Sequence, residues 1–286
     1  MTANLYALGA IALWTTLAAL GVYLKQVPPF LLTGLALLAG STLALPQLVK
    51  NRQVWRIPAA TLALGVYGLF GFHFLLFIAL RNAPPVEANL VNYLWPLLMV
   101  LLAPVFSRGN ALRAQHVVAA LTGFSGAAIA VLGAGGAAGS GGWSWGYVPA
   151  LASAFIWASY SLSTQRVKAF PTAAIGLFGL VSGLLSLLCH WALEPPVALS
   201  GRDWMLIVLM GVGPLGAAFF LWDKALKLGD ARQIGILSYL TPLGSTALLM
   251  LAGSRPLTWS IGLAALLIVG AAALGTWPGR QRRAAN

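Results

Sequence analysis

Tyr93-Leu94-Trp95-Pro96-Leu97 recurs 146 residues later as Tyr239-Leu240-Thr241-Pro242-Leu243. Both pentapeptides sit inside long apolar runs, 84–106 and 231–252. At the same offset Phe74 matches Phe220, Ala79-Leu80 matches Ala225-Leu226 and Gly65-Val66 matches Gly211-Val212. Near the start of each half, Trp14 and Lys25 match Trp157 and Lys168 at an offset of 143. Matches that keep their order along the chain point to an internal duplication. The Gly-rich stretch 134–142 separates the copies, residues 1–135 and 143–280.

Working outward, breaks at Pro, Gly and charge clusters divide the chain into ten apolar runs. They are 3–24, 28–49, 57–80, 84–106, 115–133, 143–165, 171–192, 203–226, 231–252 and 258–277. A membrane-spanning helix needs about 20 predominantly apolar residues, and each run is near that length. Lipid supplies no hydrogen-bond partner to the backbone, so only helices or closed barrels span it. Continuous apolar runs lack the alternation of barrel strands. The expected fold is therefore all-α and integral to the membrane, with ten transmembrane helices. Five is odd, so the second half enters from the opposite side, giving two inverted five-helix repeats around a central cavity.

Composition agrees. Hydrophobic residues make up 59% of the chain and charged residues only 8%, against roughly 25% charged in soluble domains. The formal charge of +12 would suggest nucleic acid in a soluble protein. Here the basic residues sit in short loops, and the lipid bilayer is the partner. Thirteen of the Lys and Arg residues fall on one side and four on the other (Lys25, Arg81, Arg202 and Arg255). The positive-inside rule then puts both termini in the cytoplasm. Trp55, Trp143, Trp145, Trp191, Trp204, Trp259 and Trp277 lie near run ends, as an interfacial belt requires. Trp14, Trp95, Trp157 and Trp222 do not. One cysteine, Cys189, gives neither a disulfide nor a metal cluster, and no cofactor is expected.

Two inverted five-helix halves with a proline in the fourth and ninth helices resemble the drug/metabolite transporter superfamily. The chain looks most like its EamA type, and within that type like the YddG-like aromatic amino-acid exporters. That resemblance implies a basket of helices around a central cavity in the bacterial cytoplasmic (inner) membrane. It also implies a secondary transporter that exports small metabolites, aromatic or other neutral amino acids, by alternating access. A monomer is expected, with a dimer as the alternative.

Several residues could form the site. Asn89, Tyr93 and Pro96 share one face of helix 4 at i, i+4, i+7, and Gly235, Tyr239 and Pro242 correspond on helix 9, with Ser238 adjacent. Each proline denies a donor to the carbonyl one turn back, and a cavity between helices 4 and 9 would receive such carbonyls. Packing kinks are the plain alternative. Trp157 and Tyr160 lie with Ser153 and Thr164 on a stripe of helix 6, and Trp14 is the helix 1 counterpart of Trp157. These rings could stack on an aromatic substrate or hold its ammonium, or could pack the core. His73 is the one ionisable residue well inside a run; it could donate to a substrate carboxylate or be a satisfied structural histidine.

The five acids, Glu87, Glu194, Asp203, Asp223 and Asp230, all fall near run ends. Asp223 and Lys224 are expected to reach water or to pair. With no central carboxylate, a multidrug exporter of lipophilic cations is the weaker alternative, and movement down the substrate's own gradient without obligatory proton exchange is expected. An intramembrane enzyme is more remote still: there is no HExxH, no paired intramembrane aspartate and no convincing Ser–His arrangement.

Overall fold

The computed structural model describes residues 2–50, 56–106, 113–135, 143–251 and 259–276. Most of the Gly-rich connector, Trp55, Trp277, Arg52, Arg108, Arg255, Arg280, Arg282 and Arg283 lie outside them. Among the described residues there are ten helical stretches and no strand. They are α1 (Thr2–Tyr23), α2 (Pro29–Lys50), α3 (Ala59–Asn82), α4 (Pro85–Phe106), α5 (Ala114–Gly135), α6 (Tyr147–Ser163), α7 (Ala174–Leu193), α8 (Gly201–Leu228), α9 (Ala231–Leu237 with Leu240–Leu251) and α10 (Trp259–Thr276). Eight of these are long and apolar enough to cross a membrane, all but α6 and α9. The chain is a multi-pass membrane protein. α6 has 17 residues, and α9 is interrupted after Leu237.

Local chemistry sets the helix starts. Pro29 and Pro85 occupy first-turn positions where a missing N–H costs nothing. Ser200 and Asp203 form a reciprocal capping box at α8, and Asp230 caps α9 by accepting from Arg232 N.

Four interruptions stand at matching places in the two halves. α3 contains a π-turn at Tyr67–Gly71 and α8 one at Gly213–Ala217, 146 residues apart at both ends. α4 breaks at Tyr93-Leu94 and α9 at Ser238-Tyr239, at the start of the repeated pentapeptide and one residue earlier in the second copy. At each break the chain falls back on tighter three-residue bonds: Leu94 N donates to Val91 O and Tyr239 N to Ile236 O. Pro96 and Pro242, lacking an N–H, explain why the α-helical ladder fails there.

Packing is exchanged between halves in the same way. α1 lies against α8 and α9, while α6 lies against α3 and α4; α2 meets α7 and α8, α7 meets α2 and α3, and α5 pairs with α10. α1 begins at the end of the bundle where Ala3 touches Gly229. α6 begins at the other end, where the Tyr147 hydroxyl donates to Glu87 and Ser144 donates to the Asn82 carbonyl. We call these the Asp223 end and the Glu194 end after their buried acids.

Close helix approach relies on glycine at α2–α7. A Cβ on Gly183 would lie 2.9 Å from the Gly34 carbonyl oxygen, a backbone atom that cannot step aside. At Gly262 in α10 a Cβ would meet nothing within 4 Å. Gly183→Val should therefore cost about 1–3 kcal/mol and visibly lower the thermal midpoint of the purified protein, with Gly262→Val unchanged. Equal midpoints would show that α2 and α7 do not depend on this contact.

Candidate functional site

The four tryptophans that fit no interfacial belt converge. Trp14 from α1, Trp95 from α4, Trp157 from α6 and Trp222 from α8 are each no more than 8% exposed. Trp14 lies 5.1 Å from Trp222 and 5.9 Å from Trp157, and Trp95 lies 5.6 Å from Trp222, centroid to centroid. Trp157 and Trp222 stack at 6.3 Å. Phe72 and Phe219, from the two π-turn helices, close on Trp157 at 5.3 and 5.6 Å, and Tyr160 does so at 5.5 Å. By contrast, Trp143, Trp145, Trp191, Trp204 and Trp259 are 47–86% exposed, as belt positions require.

The π-turns feed this cluster. A π-turn takes one residue out of the helical ladder and leaves carbonyls to be met from elsewhere. In α8 the Pro214 carbonyl accepts from Trp14 Nε1 at 3.1 Å. In α3 the Leu69 carbonyl accepts from His73 Nδ1 at 2.6 Å. A carbonyl only accepts, so Nδ1 carries the hydrogen. This corrects the reading of His73 as a donor to substrate: its donor is committed, and Nε2 of the neutral ring offers a lone pair. The imidazole lies among Phe72, Phe77 and Phe219.

Trp222 donates to Ser161 Oγ at 3.1 Å, while among the described residues Nε1 of Trp95 and of Trp157 donates to no protein atom. Half of the indole donors in the cluster are thus committed and half are uncommitted. Polar links from α6 hold the frame: Ser153 donates to Asn92 Oδ1 at 2.8 Å, and Ser159 shares a hydrogen with the Tyr67 hydroxyl at 2.8 Å. Tyr160 lies flat on Gly68, where a Cβ would overlap its ring.

Of the residues singled out by sequence, Trp14, Trp157, Tyr160 and His73 come together here. Others do not. Tyr239 is wholly buried against Gly123, Ala127 and Ile268 between α5 and α10, away from the cluster. Ser238 turns its hydroxyl to its own Gly235 carbonyl. The Ser238 carbonyl that Pro242 deprives of a donor accepts from Thr241 N at 3.0 Å, so it is not left for a ligand. Asn89 and Tyr93 are half-buried, and Tyr93 makes no ring contact with the cluster among the described residues. Helices α4 and α9 pack directly, with Pro96 O and Met99 against Gly235, and the aromatic cluster lies instead among α1, α3, α4, α6 and α8.

The fault is one of periodicity. The i, i+4, i+7 stripe presumes an unbroken helix, and the break at Tyr93-Leu94 changes the face on either side. Asn92 and Trp95 point inward instead.

Of the two outcomes expected for Asp223, water or a pair, the structure has the pair: the residue is 2% exposed and meets Lys227 at 2.6 Å rather than Lys224. Glu194 is equally sealed at the opposite end.

The EamA-like transporter family model matches residues 1–132 and again 144–277. The chain belongs to the EamA-like transporter family. A relative from Ancylobacter novellus, named aromatic amino acid exporter YddG, is 41% identical over 98% of this chain and 99% of its own. One of the same name from Escherichia coli K12 is 28% identical over 95% and 96%. A solved crystal structure, 42% identical, superposes with a TM-score of 0.89 over 96% of each chain. Membership makes a small-molecule transporter of the chain, and the tryptophan cluster is its central candidate site.

The two kinds of indole separate by substitution. Trp14→Phe keeps a ring but orphans a buried carbonyl, which should cost about 1–3 kcal/mol; Trp157→Phe breaks no protein hydrogen bond and should cost less. Chemical denaturation of the purified variants checks this, and a larger loss for Trp157→Phe would contradict the assignment.

Proposed function

We propose that this transporter exports aromatic amino acids from the cytoplasm across the bacterial cytoplasmic membrane, by alternating access around the tryptophan cluster. The observation that carries the reading is the cluster itself, buried, contributed by both halves, and holding two uncommitted indole donors. An aromatic amino acid needs a flat apolar wall, donors for its carboxylate and acceptors for its ammonium. Trp14, Trp157, Trp222 and Phe219 supply the wall. The Nε1 groups of Trp95 and Trp157 donate to the carboxylate. The His73 Nε2 lone pair and the indole faces receive the ammonium.

In this reading all ten helical stretches span the bilayer as two inverted five-helix repeats, 1–135 and 143–280, joined through 134–142. Its support is the equal spacing of the π-turns, the exchanged packing partners, the opposite starting ends of α1 and α6, and a family model that fits twice. Alternating access about a midplane site is what such repeats allow. The Lys and Arg asymmetry favours cytoplasmic termini, at the Asp223 end. All four tryptophans come from one chain, which favours a monomer. The names of the relatives favour the substrate class. Transport is proposed to run down the substrate's own gradient.

Counterflow of labelled phenylalanine in proteoliposomes tests the reading. Each ring contact contributes roughly 0.5–1.5 kcal/mol beyond area burial, so Trp157→Ala should weaken phenylalanine by about tenfold. Trp259→Ala, at an 82% exposed belt position, should leave transport intact. Normal counterflow by Trp157→Ala would remove the cluster from the substrate path.

A further inference from the structure

Two of the buried acids, Glu194 and Asp223, lie at opposite ends of the bundle, and their partners differ. At the Glu194 end, both carboxylate oxygens are fully engaged. Oε1 accepts from Phe30 N at 3.0 Å and Arg81 at 2.6 Å; Oε2 accepts from Leu31 N at 3.1 Å and faces His190 Nδ1 at 2.9 Å. This acid caps the start of α2 and ties it to α3 and α7. Its role is complete within the protein.

Asp223 is different. Its Oδ2 accepts from Thr172 Oγ1 and from Lys227 Nζ, both at 2.6 Å. Lys227 is itself fixed by the Phe170 carbonyl at 2.9 Å and by the Phe170 ring at 4.0 Å. Oδ1 is buried with no hydrogen-bond partner. An unmet carboxylate oxygen in a low-dielectric interior is costly, and α8 could have carried an apolar residue here: Phe77 stands at the matching position of α3. The carboxylate directly follows Trp222 of the cluster and lies within electrostatic reach of the Tyr160 hydroxyl. The other cation nearby, Lys224, is drawn away over the Tyr6 ring at 5.4 Å.

We infer that Asp223 is a docking carboxylate for the ammonium group of the transported amino acid, a subsite at the Asp223 end of the tryptophan cluster. Thr172 and Lys227 hold one oxygen and so aim the other. Lys227 balances the carboxylate charge, so the subsite takes a zwitterion at no net charge cost. A substrate arriving from that end meets Asp223 with its ammonium first, and passes it to the His73 Nε2 and the indole faces as its ring reaches the indoles. The inference deepens the proposed aromatic amino-acid transport and rests on it.

The test uses the full-length protein in proteoliposomes, with Asp223→Asn keeping the shape and removing the charge. Wild-type phenylalanine counterflow is challenged with phenethylamine, which keeps the ammonium, and with 3-phenylpropionate, which lacks it. Asp223→Asn should weaken phenylalanine and phenethylamine by tenfold or more and leave 3-phenylpropionate inhibition unchanged. Equal weakening of all three would mean that Asp223 only anchors α8 to the segment before α7, and an unchanged profile would remove it from the path; either overturns the inference. Thermal unfolding separates loss of fold from loss of docking, with Thr172→Val as the second variant: it removes the aiming hydroxyl, retains the charge, and should show a milder shift in the same direction. Wild-type protein that carries no phenylalanine would instead overturn the transport reading itself.

Discussion

A backbone carbonyl inside hydrocarbon must find a donor, because lipid offers none. Regular helices meet this demand internally, so each interruption has to be placed where another group can serve it. This protein has π-turns in α3 and α8 and breaks in α4 and α9, and the rest of the architecture follows from how they are served. The Pro214 carbonyl is met by Trp14, the Leu69 carbonyl by His73, and the Ser238 carbonyl by Thr241. Two of those donors are aromatic and central, so satisfying the backbone also gathers rings at the middle of the bundle.

That gathering leaves an asymmetry with functional weight. Trp14 and Trp157 correspond between the halves, yet only Trp14 donates to a π-turn carbonyl. If the halves exchange conformations, as proposed, the two indoles are the natural pair to exchange roles. The Trp157 N–H, uncommitted here, is then the one offered to substrate in this conformation. The buried acids divide in the same spirit. Glu194 is spent entirely on structure, whereas Asp223 keeps one oxygen in reserve.

Much of this was readable in the chain before any coordinates. The repeated Tyr-Leu-x-Pro-Leu coincides with both helix breaks, because a proline without an N–H cannot continue the ladder, yet by periodicity alone each run reads as one unbroken helix. Exclusion from the belt identified the four tryptophans that meet, since an indole away from the interface needs another reason to be there. What was not readable came from two kinds of physics. Side-chain direction changes across a break, so a 3.6-residue stripe assigned Tyr93 and Asn89 to the site when Trp95 and Asn92 face inward. Burial of an acid near a helix end depends on what neighbouring helices put beside it: Thr172 and Lys227 cover Asp223, and no periodicity in α8 reports that. Tyr239 shared its motif with Tyr93 but met Gly123 of α5, a tertiary packing invisible to a motif.

The central claim is that the tryptophan cluster holds the substrate ring. A structure of the protein determined with phenylalanine bound tests it most directly. The account expects the ring of the ligand against Trp157 and Trp14, with its carboxylate within hydrogen-bond distance of Nε1 of Trp95 or Trp157. A ligand seated instead between α5 and α10 beside Tyr239, or anywhere outside the space shared by α1, α3, α4, α6 and α8, would contradict it.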